Sequence, residues 1–60
     1  MTVEVRSQGG QWTVMVNGST HSTHRLKSAA EDEAQRVARK RGGNLRVQKR
    51  DGQFQYNRSY

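Results

Sequence analysis

Two dipeptides, Asn17-Gly18 and Asp51-Gly52, each stand between runs in which apolar and polar residues alternate. A two-residue hairpin loop of type I′ needs positive φ at both central positions, which Asn, Asp and Gly tolerate better than other residues. The chain is thereby directed toward two hairpins, one on each side of residues 28–41. Alternation supplies the faces. Val3 and Val5 alternate with Glu4 and Arg6, and Trp12, Val14 and Val16 alternate with Thr13 and Met15. Closing the SQGG break with Arg6 opposite Gln11 puts Val5 across from Trp12 and Val3 across from Val14. All five apolar side chains then share a face. After Asn17-Gly18, STHSTHR reads as a third strand over residues 20–25, polar enough to be an edge. Near the end of the chain, a two-residue Asp51-Gly52 loop pairs Val47 with Tyr56 and Lys49 with Phe54. Leu45, Val47, Phe54 and Tyr56 then face inward, and Arg46, Gln48, Arg50, Gln53, Gln55 and Asn57 face outward.

Between the two β regions, Ser28-Ala29-Ala30-Glu31 has the form of a capping box, with the serine as N-cap. It predicts a helix over residues 29–41 that stops at Gly42-Gly43, where a left-handed C-cap is easily formed. Ala30, Ala34, Val37 and Ala38 form its inward stripe. Glu31, Asp32 and Glu33 are expected in the first turn and Arg39, Lys40 and Arg41 in the last, matching the helix dipole. Asp32 is spaced to pair with Arg36. The order is β-β-β-α-β-β, and the fold class is α+β: an antiparallel sheet with one helix on one face.

Sixty residues make a single domain, 1–60, and only 30% of them are apolar. A core so thin has no disulfide to supplement it, because there is no cysteine. Self-association into a homodimer is the expected remedy. No run of about 18 apolar residues exists to span a membrane, and MTVEVRSQGG lacks the charged start and apolar stretch of a secretory signal. A cytoplasmic protein is the expectation. Eleven Lys and Arg against five Asp and Glu leave a net charge of +6, which favours polyanionic partners.

Thr23, the Ala30/Ala34/Ala38 helix, Gly42-Gly43-Asn44-Leu45, Val47, Asp51-Gly52 and the closing Ser59-Tyr60 together resemble a bacterial and archaeal family, domain of unknown function 2188. The resemblance implies this α+β fold and brings no settled activity with it. A looser likeness covers Gln11 to Arg41. There, a Trp-bearing hairpin, a strand and an S-x-x-E-headed, Ala-rich helix resemble the arm-type DNA-binding domains of phage integrases, which lay a three-stranded sheet into the major groove.

The residues offer little catalytic chemistry. His21 and His24, three apart on a strand, should point to opposite faces and cannot then chelate one ion together. Ser22, His24 and Asp51 form a trio that any polar chain presents by accident. No nucleophile elbow, P-loop or zinc signature occurs, so we expect no enzyme, no cofactor and no metal. Trp12, Phe54 and Tyr56 share the parity of the valines, which assigns them to the core rather than to base stacking. Tyr60 is expected either to cap a partner's sheet or to be mobile.

Residues 36–50, RVARKRGGNLRVQKR, contain seven basic residues and no acid, but Gly42-Gly43 divides them into two surfaces. Arg36, Arg39 and Lys40 belong to the helix end, where the dipole alone accounts for their charge. Arg46 and Arg50 are expected on the outer sheet face with Gln48, Gln55 and Asn57. Guanidinium and amide groups on a two-stranded platform can read base edges in a groove of duplex DNA. A nucleic-acid-binding protein using these eight residues is thus one expectation. A homodimeric module that binds an acidic protein partner is the other.

Overall fold

A computed structural model describes all 60 residues. Five strands and one helix follow in the order β1 (Thr2–Gln8), β2 (Gln11–Val16), β3 (Ser19–His24), α1 (Lys27–Arg41), β4 (Asn44–Gln48) and β5 (Phe54–Ser59). They form one sheet, ordered β3-β2-β1-β4-β5, with α1 packed on one face. The fold is α+β, as the patterning implies. The sheet is mixed rather than wholly antiparallel, because β4 joins β1 in parallel, Val3 beside Leu45 and Val5 beside Val47. Helix α1 makes this possible. It carries the chain from the β3 edge across the sheet and delivers β4 on the far side of β1, running in the same direction.

The first hairpin closes more tightly than the SQGG break suggests. Gly9 (φ 56°) and Gly10 (φ 78°) form a two-residue loop that sets Gln8 opposite Gln11, Val5 opposite Val14 and Val3 opposite Val16. The expected pairing of Arg6 with Gln11 is therefore off by two residues. A slip of two leaves every side chain on its expected face, so the inward assignment of Val3, Val5, Trp12 and Val14 stands. Asn17 (φ 52°) and Gly18 (φ 83°) make the second loop with the expected positive φ at both positions. The Asn17 carboxamide oxygen also accepts from the Thr2 amide at 3.0 Å, tying this turn to the start of β1.

The helix begins two residues earlier than the capping-box reading placed it. Leu26, extended at φ −109° and ψ 138°, is the N-cap and makes no side-chain cap hydrogen bond; the Ala30 amide donates to its carbonyl. Ser28 lies inside the helix. No acidic residue occupies the first turn, so Glu31, Asp32 and Glu33 do not complement the dipole there as expected. The C-terminal half follows the sequence reading. Gly42 adopts φ 69°, its amide and that of Gly43 both donate to the Ala38 carbonyl, and Arg39, Lys40 and Arg41 fill the last turn.

Ten buried residues make the core: Val3, Val5, Trp12 and Val14 from the first hairpin, Ala30, Ala34, Val37 and Ala38 from α1, and Leu45 and Val47 from β4. The alanine stripe lets the helix lie close to the sheet, and Val37 with the strand side chains supplies most of the bulk. Gly43 is the other close approach. A Cβ there would come within 2.6 Å of both Cγ and the carbonyl oxygen of Met1, so only glycine lets the chain end of α1 pass the start of β1. Tyr60 folds back onto this corner, its amide donating to the Gly43 carbonyl and its ring packing on the core. Its main chain and ring are both held at this corner. No helix is long and apolar enough to cross a membrane.

Candidate nucleic-acid interface

The last hairpin departs most from its sequence pattern. Val47 does face Tyr56, but the register then shifts and Gln48, not Lys49, stands opposite Phe54. The turn is not the symmetric Asp51-Gly52 loop. Asp51 does not take positive φ; the Gly52 amide donates to the Lys49 carbonyl at 3.0 Å, and Gly52 alone adopts φ 92°. The Asp51 carboxylate accepts from the Gln53 amide, bracing a five-residue loop over 49–53. Arg50 and Gln53 therefore lie in that loop and not on the strand face where alternation put them.

The shift leaves one extra residue in β5, a β-bulge, and a bulge exchanges faces. Phe54 turns away from the helix. It is 42% exposed, and the Arg46 guanidinium lies over its ring at 3.9 Å. Gln55 turns the other way, accepting a hydrogen bond from Lys27 at the start of α1. Two expectations are thereby overturned: Phe54 is not core, and Gln55 is not on the outer face. Tyr56, one step past the bulge, remains inward and half-buried. Burial pushes its hydroxyl above the ordinary tyrosine range; Glu31 adds to this and a hydrogen bond with Gln35 opposes it.

Nothing covers the sheet on the side away from α1. Along β4, Asn44, Arg46 and Gln48 face this way, with Asn57 opposite Arg46 on β5 and Ser59 donating to the Asn44 carboxamide at 3.0 Å. Two shallow depressions flank the row. Arg46, Asn57 and Asn44 line one, and Arg6, Gln48 and Met15 help line the other. Glu4, beside Arg46 in the parallel pair, is the only acidic residue in any strand. Arg46 makes no ion pair with it and lies over Phe54 instead. Of the eleven Lys and Arg residues, only Arg36 reaches a carboxylate. That partner is Glu33 at 2.7 Å, not the expected Asp32.

The eight candidate residues separate accordingly. Arg46, Gln48 and Asn57 share the open face, with Gln48 largely buried in it, and Arg50 lies in the loop at its end. Gln55 is turned to the helix. Arg36, Arg39 and Lys40 are on α1, with the sheet between them and Arg46, and Arg39 lies 5.6 Å from the Tyr60 ring. The basic helix end and the basic strand do not converge. Arg6, Met15 and Phe54 complete the open face; the first two were legible as outward positions, and Phe54 was hidden by the bulge.

A second bulge revises the histidines. Register shifts between Val14 and Met15, so that Ser22 pairs with Val14 while Thr20 pairs with Met15. His21 is thereby turned to the helix, its Nε2 2.8 Å from the Glu33 carboxylate, and His24, opposite Trp12, is on the same side. They do not occupy opposite faces. No cluster of three or more His, Cys, Asp and Glu side chains forms around them. Ser22 Oγ and His24 Nε2 are 2.9 Å apart, a serine–imidazole pair, but no carboxylate hydrogen-bonds to His24. Asp51 is at the opposite edge hairpin, four strand spacings or about 19 Å across the sheet. The hydrogen bond from Arg36, followed by that from His21, holds the Glu33 carboxyl down at about 2.

No curated protein and no solved structure matches the chain. A family described as "uncharacterized protein conserved in bacteria" (DUF2188) matches residues 3–60, the span that holds every strand but the first residue of β1, the whole helix and the open face. On that match the chain belongs to the DUF2188 family.

Proposed function

We propose that this protein is a small, non-enzymatic nucleic-acid-binding protein of the cytoplasm that meets its ligand with the uncovered sheet face. One observation carries the reading. The face presents Arg46 and Arg6 among amide side chains with a single acid, in a chain where only Arg36 of eleven cations is paired. Unpaired guanidinium groups release counterions when they meet phosphates, so affinity falls with salt in proportion to the contacts made. The helix-end cations are on the far side and have the dipole as a sufficient reason.

Mobility-shift titrations at two salt concentrations test this. Replacing Arg46 and Arg50 with glutamine should weaken binding and reduce the salt slope by about one to two units. Replacing Arg39 and Lys40 should leave the slope unchanged. Equal losses from both pairs would mean that net charge alone matters.

The second reading is a homodimeric module for an acidic protein partner. What favours it is that β3 and β5 are both open edges, with Phe54 exposed on the latter. Sedimentation at micromolar concentration should then give about twice the mass of the 6.9 kDa chain.

A further inference from the structure

The exposed Phe54 has no structural role that explains its position. An aromatic ring costs solvation when it is left on the surface, and Tyr56 on the same strand does pack against the core. The β5 bulge instead puts it outside, beside the row of Arg46, Gln48 and Asn57. Its neighbour above the ring is a planar cation at 3.9 Å, with no carboxylate to hold that cation elsewhere. An aromatic ring with a guanidinium lying over it, open on the sheet, combines the two kinds of group on which unstacked bases stack. Duplex bases are already stacked on one another and cannot use such a platform.

Charge is placed to fit. Arg6 lies in the depression beside Gln48, and Lys49 and Arg50 stand exposed in the loop just beyond Phe54. Asn44, Arg46 and Gln48 run from one depression to the other along β4, a track of about 13 Å at strand spacing. Met15 adds a second, flexible apolar surface to the same face.

Resting on the nucleic-acid reading above, we infer that the ligand is a single strand, with one base stacked at the Phe54–Arg46 pair and flanking phosphates met by Arg6, Lys49 and Arg50. The platform is selective for unpaired bases and tolerant of their identity, because every base has a π face. Asn57, on the same face, is the exposed amide within reach of a base edge.

Fluorescence anisotropy with a labelled 12-nucleotide single strand, as DNA and as RNA, and with the matching duplex separates the possibilities. The native protein should bind the single strands more tightly than the duplex. Phe54→Ala should weaken single-strand binding roughly five- to hundred-fold, the usual loss for one stacked base, and leave duplex binding unchanged. Phe54→Tyr should restore single-strand binding. Buried Trp12 reports in the same samples that the fold is intact. If Phe54→Ala changes nothing while Arg46→Gln weakens every ligand, the stacking inference falls and the nucleic-acid reading survives. Should the native protein bind neither single strand nor duplex at low salt, both fall together. An RNA strand bound more tightly than DNA, with the same Phe54 dependence, supports the inference and identifies RNA as the ligand.

Discussion

Both edges of the sheet carry a bulge, and the two have opposite consequences. In β3 the extra residue turns His21 toward α1, where Glu33 and, through it, Arg36 tie the edge to the helix. In β5 the extra residue turns Phe54 away from the helix and leaves it in solvent under Arg46. One bulge closes a surface; the other opens one. The same geometric device therefore says nothing about function until the partner of the re-aimed side chain is known. Where that partner is a helix residue, the edge is braced. Where it is another exposed side chain, the edge has a surface to offer.

The two aromatics on these hairpins give the sharpest contrast, since each has a cation near its ring. Trp12 is 9% exposed, with the Lys27 ammonium 5.2 Å from its centroid. Trp12→Ala should cost on the order of 3–5 kcal/mol, most of the stability of a domain this small. Urea unfolding followed by circular dichroism should show a largely unfolded chain even without denaturant. A variant that still melts cooperatively would mean that the β3 side of the sheet is not where the core energy lies.

Next in size is the brace at the β3 edge. The folded pKa of Glu33, about 2, is below that of an ordinary carboxyl, 4.5. Its contribution is therefore fully present above the ordinary value and is lost as pH falls from there toward about 2. With Glu33 at 23% and Arg36 at 60% exposure, solvent screening keeps the gain to about 1 kcal/mol or less. Glu33→Gln should thus lower stability slightly at pH 6 in a urea melt. The gap from the native protein should close near pH 2. A gap that persists there would assign the effect to packing and not to charge.

Smallest of all should be Phe54→Ala measured as stability. Only an exposed cation–π contact is lost, about 0.5–1 kcal/mol or less. A loss above 2 kcal/mol would show that Phe54 belongs to the core after all and would remove the basis for calling the β5 bulge an opening.

Much of this molecule was decided locally. Alternation at Val3, Val5, Trp12, Val14, Leu45 and Val47, the stripe Ala30-Ala34-Val37-Ala38, the Asn17-Gly18 loop and the Gly42 cap are all consequences of short-range geometry, and all occur as the sequence implies. Face assignment survived even the two-residue error in the first hairpin, because strand side chains repeat every two residues. The departures were those that one residue can cause. A single inserted position in β3 or β5 reverses the side chains beyond it, and no local preference signals where it falls. Phe54 and Gln55 were assigned to the wrong faces, and His21 and His24 to opposite ones, for that reason. The start of α1 was misplaced because Ser28-x-x-Glu31 is a valid cap only if the chain has not already turned. Here β3 ends at His24 and the helix already has its N-cap at Leu26. Sequence alone thus determined the number and type of the elements and the buried faces of β1, β2, α1 and β4, because each depends on neighbours a few residues away. Only the tertiary structure decided that β4 lies parallel to β1, that the two basic groups are on opposite sides, and that Phe54 meets Arg46 in the open. Each of these depends on how distant strands align, where a one-residue shift outweighs every local signal.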